Sequence, residues 1–192
     1  MLAALALAAV TALPTISVTV QPSPNVSRSL VALVLEEAGA IWRDVGVRVV
    51  VRDEPAPGVV RVIIDDSIAT SSDAGLAIGW VIFDDDEPRP EIRLSYANAV
   101  AGLTRACPAG TLSKMWKSQI DELVAVALGR VLAHELGHYL LGSAAHTNDG
   151  LMHADWSPNE MFGADRPRFR LDATQRATIA PKLVPAQIGT KQ

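Results

Sequence analysis

The helical pattern from about Ser113 to Leu141 constrains the fold most, because it carries the letters H-E-L-G-H. Its apolar residues recur at the spacing of one helix face, and Gly142 directly after it is a typical helix end. His134 and His138 are four residues apart, so their imidazoles project from the same face, one turn apart. The pattern therefore predicts a long helix that presents two imidazoles side by side.

This pair of histidines suits a zinc ion. Zinc accepts neutral imidazole nitrogen at about 2.0–2.1 Å, and a catalytic zinc keeps three protein ligands and one open position. Glu135, beside the first histidine, can take a proton from a water that the metal activates and hand it to a leaving amine. We therefore predict one zinc ion at His134 and His138, and peptide-bond hydrolysis with Glu135 as the general base.

The same residues allow interpretations without catalysis. Two histidines can be hydrogen-bonded partners in a protein core, or they can belong to a closed structural zinc site. Chance produces the H-E-x-x-H pattern only about 0.003 times in a chain of this composition, which argues against the first. A closed site has four nitrogen or sulfur ligands and no use for a free carboxylate, so Glu135 argues against the second. A catalytically silent domain that binds zinc and peptides is the alternative from another functional class.

The stretch from His134 to Met152 resembles the metzincin zinc metallopeptidases, whose signature is H-E-x-x-H-x-x-G-x-x-H followed by a methionine-containing turn. Its two histidines and glutamate match that signature, and "GLM" at Gly150–Met152 resembles the Met-turn. Gly142 and His146 match in kind. Compared with the signature, one extra residue lies between His138 and Gly142, and another lies between Gly142 and His146. The resemblance implies a zinc endopeptidase with Met152 beneath the metal. No tyrosine follows Met152, so a tyrosine that stabilises an oxyanion is not implied.

Three residues are candidates for the third zinc ligand: His146, His153 and Glu160. Glu160 follows an asparagine, as in thermolysin-like gluzincins, where the glutamate lies on a second helix. Proline and glycine flank it here, which disfavours a helix long enough to direct it to the metal. For His146 the chain must reverse, and Gly142 with the small residues after it permits a tight path. We expect His146 to bind the metal and the other two to stay off it.

Strand-like and helix-like patterns alternate along the rest of the chain, which predicts a single α/β (α+β) domain over residues 14–192. The predicted strands are Ile16–Val20, Val47–Asp53, Val59–Asp66, Leu76–Phe83 and Glu91–Ala97. The predicted helices are Ser27–Val45, the long helix to Leu141, and Leu171–Leu183, with Ser143–Arg170 irregular. The metzincin resemblance further implies a twisted, mostly parallel sheet of about five strands with an antiparallel edge strand.

The strand "AIGWVIF" holds the place of that edge strand, which in metzincins pairs with extended substrate. Ile78, Gly79 and Trp80 are therefore expected to line a substrate cleft. The missing side chain of Gly79 leaves room for a peptide backbone, although it can equally mark a β-bulge.

Composition excludes other classes of function. The net charge is −4 and the basic residues are scattered, so no nucleic-acid surface is expected. The single cysteine, Cys107, excludes an intramolecular disulfide and is interpreted as a small, partly buried apolar residue. The acidic run Asp84–Glu87 is interpreted as a solvated turn. Protein or peptide substrates are the expected partners, and a monomer is expected.

The first 27 residues carry no charged side chain. Residues 1–13 form an apolar run of the length found in export signals, and Val10–Ala12 suits signal cleavage, although a basic start is missing. Pro14, Thr15 and Ser17 argue against a membrane span, which needs about 20 apolar residues. We predict an export signal over residues 1–13 and a secreted or periplasmic location. The alternative is a buried N-terminal segment.

Overall fold

The computed structural model describes residues 13–67, 77–163, 166 and 169–183, so the predicted export signal lies outside it except for Leu13. The strands are β1 (Thr15–Pro22), β2 (Arg48–Val51), β3 (Val59–Asp65), β4 (Gly79–Asp84) and β5 (Glu87–Ser95). The α-helices are α1 (Arg28–Asp44), α2 (Tyr96–Ala106), α3 (Lys117–Leu141), α4 (Pro158–Phe162) and α5 (Ala173–Ile179). Short 3₁₀ turns occur at Leu112–Lys114 and Ala180–Lys182.

The five strands form one sheet in the order β2-β1-β3-β5-β4. β1 runs parallel to β2 and β3, and β3 runs parallel to β5. β4 pairs with β5 antiparallel and is an edge of the sheet. The predicted mostly parallel sheet with an antiparallel edge strand is confirmed.

The core lies between the sheet and the helices α1 and α3. Alternate residues of β3 are buried because successive side chains of a strand point to opposite faces. On α3, by contrast, nearly every residue of the second half is buried, so this helix runs through the domain rather than over it. Large side chains buried in this core are Trp42, Ile64, Leu94, Leu128, Leu132 and Leu136.

Helix α1 begins at its cap Ser27, whose Oγ accepts a hydrogen bond from Leu30 N at 3.2 Å. It approaches α3 closely at Gly129, where an added Cβ would lie 2.6 Å from Glu37 Cβ. Helix α3 ends at Gly142 with φ of 66°, as the sequence predicts. Among the described residues, no helix is long and apolar enough to cross a lipid bilayer.

The turn between β4 and β5 confirms the interpretation of the acidic run. Asp85 and Asp86 both have positive φ, 45° and 67°, and connect the two strands directly. Two residues with positive φ form the tight hairpin turn that matches strand twist, and aspartate tolerates this conformation better than most residues. Both side chains are exposed.

Several elements differ from the prediction in their bounds, and two helices were not predicted. The last predicted strand ends at Ser95 instead of Ala97, because Ser95 Oγ accepts from Asn98 N and starts α2, a helix that the strand prediction missed. The long helix begins at Lys117 rather than Ser113, after a 3₁₀ turn. The stretch predicted to be irregular contains α4. Cys107 follows α2 and is a half-buried free thiol that packs against the core.

Candidate metal centre

The three predicted histidine ligands meet at one point. His138 Nε2 lies 2.9 Å from His134 Nε2 and 3.3 Å from His146 Nε2. Nitrogen ligands of a tetrahedral zinc ion at about 2.0–2.1 Å lie about 3.4 Å from one another. These histidines are the one set of three or more metal-ligating side chains that the described part of the chain brings together.

The end of α3 determines how the third histidine reaches the other two. His134 and His138 are buried on α3, one turn apart, whereas His146 is exposed and lies on the loop after the helix. The left-handed turn at Gly142 reverses the chain there, and Gly142 N donates to His138 O at 2.9 Å. The reversal that the sequence suggested is therefore present.

Backbone carbonyls orient the two buried imidazoles. His134 Nδ1 is 2.6 Å from Leu151 O, and His138 Nδ1 is 2.7 Å from Ser143 O. A carbonyl only accepts hydrogen bonds, so each Nδ1 carries the proton and each Nε2 has its lone pair toward the common point. Lone pairs that face one another at this distance repel unless a cation lies between them, so the donor set fits a zinc ion.

Burial keeps both imidazoles in the form that binds metal. Burial and, to a smaller extent, the neighbouring His138 together lower the pKa of His134 to about 3. Burial also lowers the pKa of His138. Metal ligation requires neutral imidazole, so the fold holds these side chains ready for a cation.

Glu135 lies between α3 and the edge strand β4. Its Oε2 accepts a hydrogen bond from Val81 N at 3.0 Å. Burial raises the pKa of the Glu135 carboxyl to about 7, against the opposing effect of the Val81 hydrogen bond. A carboxyl with a pKa close to neutral can both accept and return a proton near pH 7.

Met152 lies directly beneath the H-E-x-x-H turn of α3. It is fully buried, and a Cβ added to Gly137 would overlap its sulfur. Leu151, the residue before it, supplies the carbonyl that orients His134. Because Gly137 has no side chain, Met152 can approach helix α3 between His134 and His138.

The rival ligands lie elsewhere. Glu160 Oε2 accepts from Ser157 N at 3.0 Å and from Ser157 Oγ at 2.7 Å, which caps the first turn of α4. His153 Nδ1 is 3.1 Å from Thr147 O. Neither residue belongs to the three-histidine group.

The edge strand β4 reaches the metal centre through Val81. Gly79 on this strand, however, neither leaves room for a peptide nor forms a β-bulge, the two roles that the sequence suggests. A Cβ on Gly79 would lie 2.5 Å from Val131 Cγ1 and 2.7 Å from Leu94 Cδ2. Side chains of α3 and β5 therefore fill the space beside the Gly79 Cα, and no room for a peptide is left there. Gly79 is not the bulge either, since the irregular pairing falls between Val81 and Phe83. Ile78 and Trp80, the other predicted cleft residues, are half-buried beside it.

Trp156 is a neighbour of the site that the sequence analysis missed. Its ring lies at 82° to the ring of His134, with the centroids 5.2 Å apart. It stands in the stretch predicted to be irregular, where no periodicity indicates what a side chain contacts.

Comparisons with known proteins identify the fold. No protein-family profile and no curated protein matches the chain. A solved structure of a zinc-dependent peptidase from Methanocorpusculum labreanum matches with a TM-score of 0.55 and 12% identity, over 84% of this chain and 99% of that one. Archaemetzincin from Methanopyrus kandleri matches with a TM-score of 0.54 and 12% identity, over 88% and 96% of the two chains. The chain shares the fold of these zinc peptidases.

Proposed function

We propose that the chain is a zinc-dependent endopeptidase of metzincin type. The observation that carries this proposal is the convergence of three imidazole Nε2 atoms beside a buried glutamate at the edge of the sheet. The shared fold of the two solved peptidases supports it. The position of Met152 against Gly137 supports the assignment of Met152 as the Met-turn residue.

Each residue has a separate task in the proposed reaction. His134, His138 and His146 would hold the zinc ion, and the chemistry it would supply is Lewis-acid polarisation of the scissile carbonyl and activation of a water. Glu135 takes the proton of the attacking water and later delivers it to the leaving amine. The Val81 N–H holds the carboxylate in place between α3 and β4.

We propose that substrate binds along the free edge of β4. Ile78 O accepts from Ser95 N and thus faces β5, whereas Val81 N–H is directed at Glu135, away from β5. Backbone groups alternate along an antiparallel strand, so those of Gly79 also face away from β5. An extended peptide can pair with the backbone of Gly79 as an added strand, with Ile78 and Trp80 flanking it, while the Val81 N–H stays on Glu135.

Two alternatives are less well supported. In a gluzincin arrangement Glu160 would bind the metal, but its carboxylate already caps α4. In a catalytically silent zinc- and peptide-binding domain, a buried Glu135 with a pKa of about 7 beside the histidines would have no task.

Digestion of a peptide library with and without a metal chelator tests the proposal. We expect cleavage within peptides, loss of cleavage with chelator, and recovery when zinc is added back. Cleavage that persists without metal, or zinc binding without turnover on any unfolded protein, would refute peptidase function as proposed.

We also propose that residues 1–13 direct export and are removed, on the basis of the apolar run alone. Recovery of the protein outside the cytoplasm with its N-terminus near Leu13 would support this. A full-length chain confined to the cytoplasm would contradict it.

A further inference from the structure

A buried ion pair lies one helical turn before the metal centre and takes no part in the proposed chemistry. Arg130 on α3 is 2% exposed and Glu37 on α1 is 5% exposed, with 3.0 Å between Arg130 Nε and Glu37 Oε1. Removing two charges from water is costly, so such a pair often adds little to stability compared with apolar residues. The other contacts of Arg130 and Glu37 indicate a second role for this ion pair.

The pair joins α1 to α3 and also holds two later parts of the chain. Arg130 Nη1 donates to Glu160 O at 2.6 Å, which ties α4 to α3. Glu37 Oε2 accepts from Arg166 Nη2 at 2.7 Å, which ties the following segment to α1. The chain that leaves the metal centre is therefore attached again to the two central helices.

A path of ring contacts leads from Arg130 back to a zinc ligand. The guanidinium of Arg130 lies over Phe169, 4.7 Å from the ring centroid. Phe169 meets Trp156 at 90° with centroids 4.7 Å apart, and Trp156 meets His134 at 5.2 Å. Phe169 is 2% exposed and Trp156 is half-buried, so the path begins in the core at Arg130 and reaches His134 along the wall of a cavity that both rings line. His134 is thus held by Leu151 O at Nδ1 and by Trp156 against its ring.

We propose that Arg130 is a positioning residue for the metal centre: it anchors Phe169, which through Trp156 holds the ring of His134 in the orientation that binds zinc. This inference rests on the proposed zinc site. Residues that orient a metal ligand without touching the metal typically change metal affinity by 10–100-fold. A residue that only stabilises the fold changes the unfolding equilibrium and not the affinity of the folded protein.

Two variants interrupt the path at different points. Arg130→Met removes the contacts to Glu160 and Phe169, while Glu37 keeps Arg166. Phe169→Leu leaves the ion pair and the Glu160 hydrogen bond in place and removes only the ring between Arg130 and Trp156. Ile64→Ala is the control, because Ile64 is a fully buried β3 residue away from the path, and its truncation lowers stability.

The zinc dissociation constant of each full-length protein is measured by competition with a chromophoric chelator, at a temperature where circular dichroism shows it folded. We expect Arg130→Met and Phe169→Leu to weaken zinc binding about 10–100-fold, and Ile64→Ala to leave it unchanged. Wild-type affinity in folded Arg130→Met or in Phe169→Leu, or an equal loss in Ile64→Ala, overturns the inference. If Arg130→Met does not fold, Phe169→Leu decides alone. A wild-type chain that binds no zinc refutes the proposed function itself, and this inference with it.

Discussion

His146 differs from the other two histidines of the metal centre because it is exposed and lies on a loop instead of α3. His134 and His138 are pre-oriented by carbonyls at 2.6 and 2.7 Å, whereas the third imidazole completes the set from outside the helix. A catalytic zinc needs three protein ligands, so in the proposed site the zinc affinity would depend on this exposed residue.

We therefore expect His146→Ala to lower zinc affinity strongly and to leave thermal stability of the metal-free protein nearly unchanged. Glu160→Ala is expected to keep zinc and most activity, because Glu160 caps α4 and lies outside the histidine group. Zinc titration of both variants checks this. Loss of zinc in Glu160→Ala with retention in His146→Ala would indicate a gluzincin arrangement.

Gly137 is expected to be sensitive to the smallest substitution. Gly137→Ala places a methyl group where Met152 sulfur lies, and overpacking of a core typically costs about 1–3 kcal/mol. The matched control is Gly39→Ala on α1, where an added Cβ meets nothing within 4 Å, so a stability gain of about 0.5–1 kcal/mol is expected. Urea unfolding of both variants measures the difference, and equal effects would show that Met152 does not need this glycine.

At the scale of elements, the edge strand β4 depends on its contact with α3. Gly79→Val is expected to destabilise the protein by about 1–3 kcal/mol, because the new side chain overlaps Val131 and Leu94. If Gly79 only left room for a peptide backbone, as its sequence suggests, Gly79→Val would instead raise KM or cut turnover without unfolding the protein. The double variant Gly79→Ala/Val131→Ala should recover part of the stability lost in Gly79→Ala, because it removes one of the two overlaps. Absence of any coupling between these two positions in unfolding experiments would contradict this packing.

Elements with a strong period or a clear end signal were predictable, and elements defined by tertiary contacts were not. The long helix, its stop at Gly142 and the strand β4 follow from local pattern, whereas the edge position of β4 was implied by the metzincin resemblance. Helix α2 was missed because Ser95 continues a strand pattern and also caps a helix, and only the fold determines where the strand ends. His134, Glu135 and His138 were readable from their spacing, and His146 was preferred among three candidates because Gly142 permits the chain to reverse. Trp156 and Arg130 were not, because their roles depend on which distant residues they contact.

At the scale of the whole molecule, the buried site makes the stability of the metal-free protein depend on pH. The pKa of His134 is lowered from 6.5 to about 3, so between these values the unfolded chain binds a proton that the folded chain does not. Stability is then lost as the pH falls. The pKa of Glu135 is raised from 4.5 to about 7, so its contribution has the opposite sign and stability is lost as the pH rises through that range.

The two effects separate in a comparison of wild type with Glu135→Gln in chelator. We expect the variant to become progressively more stable than wild type as the pH rises from about 4.5 to about 7, the interval of the Glu135 shift. Below that interval both proteins should lose stability together, because each keeps His134. Urea unfolding at a series of pH values tests this, and a stability difference that does not change with pH would contradict the burial of Glu135.

The central claim, a zinc peptidase with Glu135 as general base, is tested most directly by zinc content and hydrolysis of an unfolded protein in the same samples of wild type and Glu135→Gln. Glu122→Gln, on the exposed face of α3, is the matched control. We predict about one zinc per chain in all three, normal hydrolysis in the control, and a loss of about 10²–10⁴-fold in Glu135→Gln. Near-normal hydrolysis by Glu135→Gln, or a folded wild-type chain without zinc, would contradict the account.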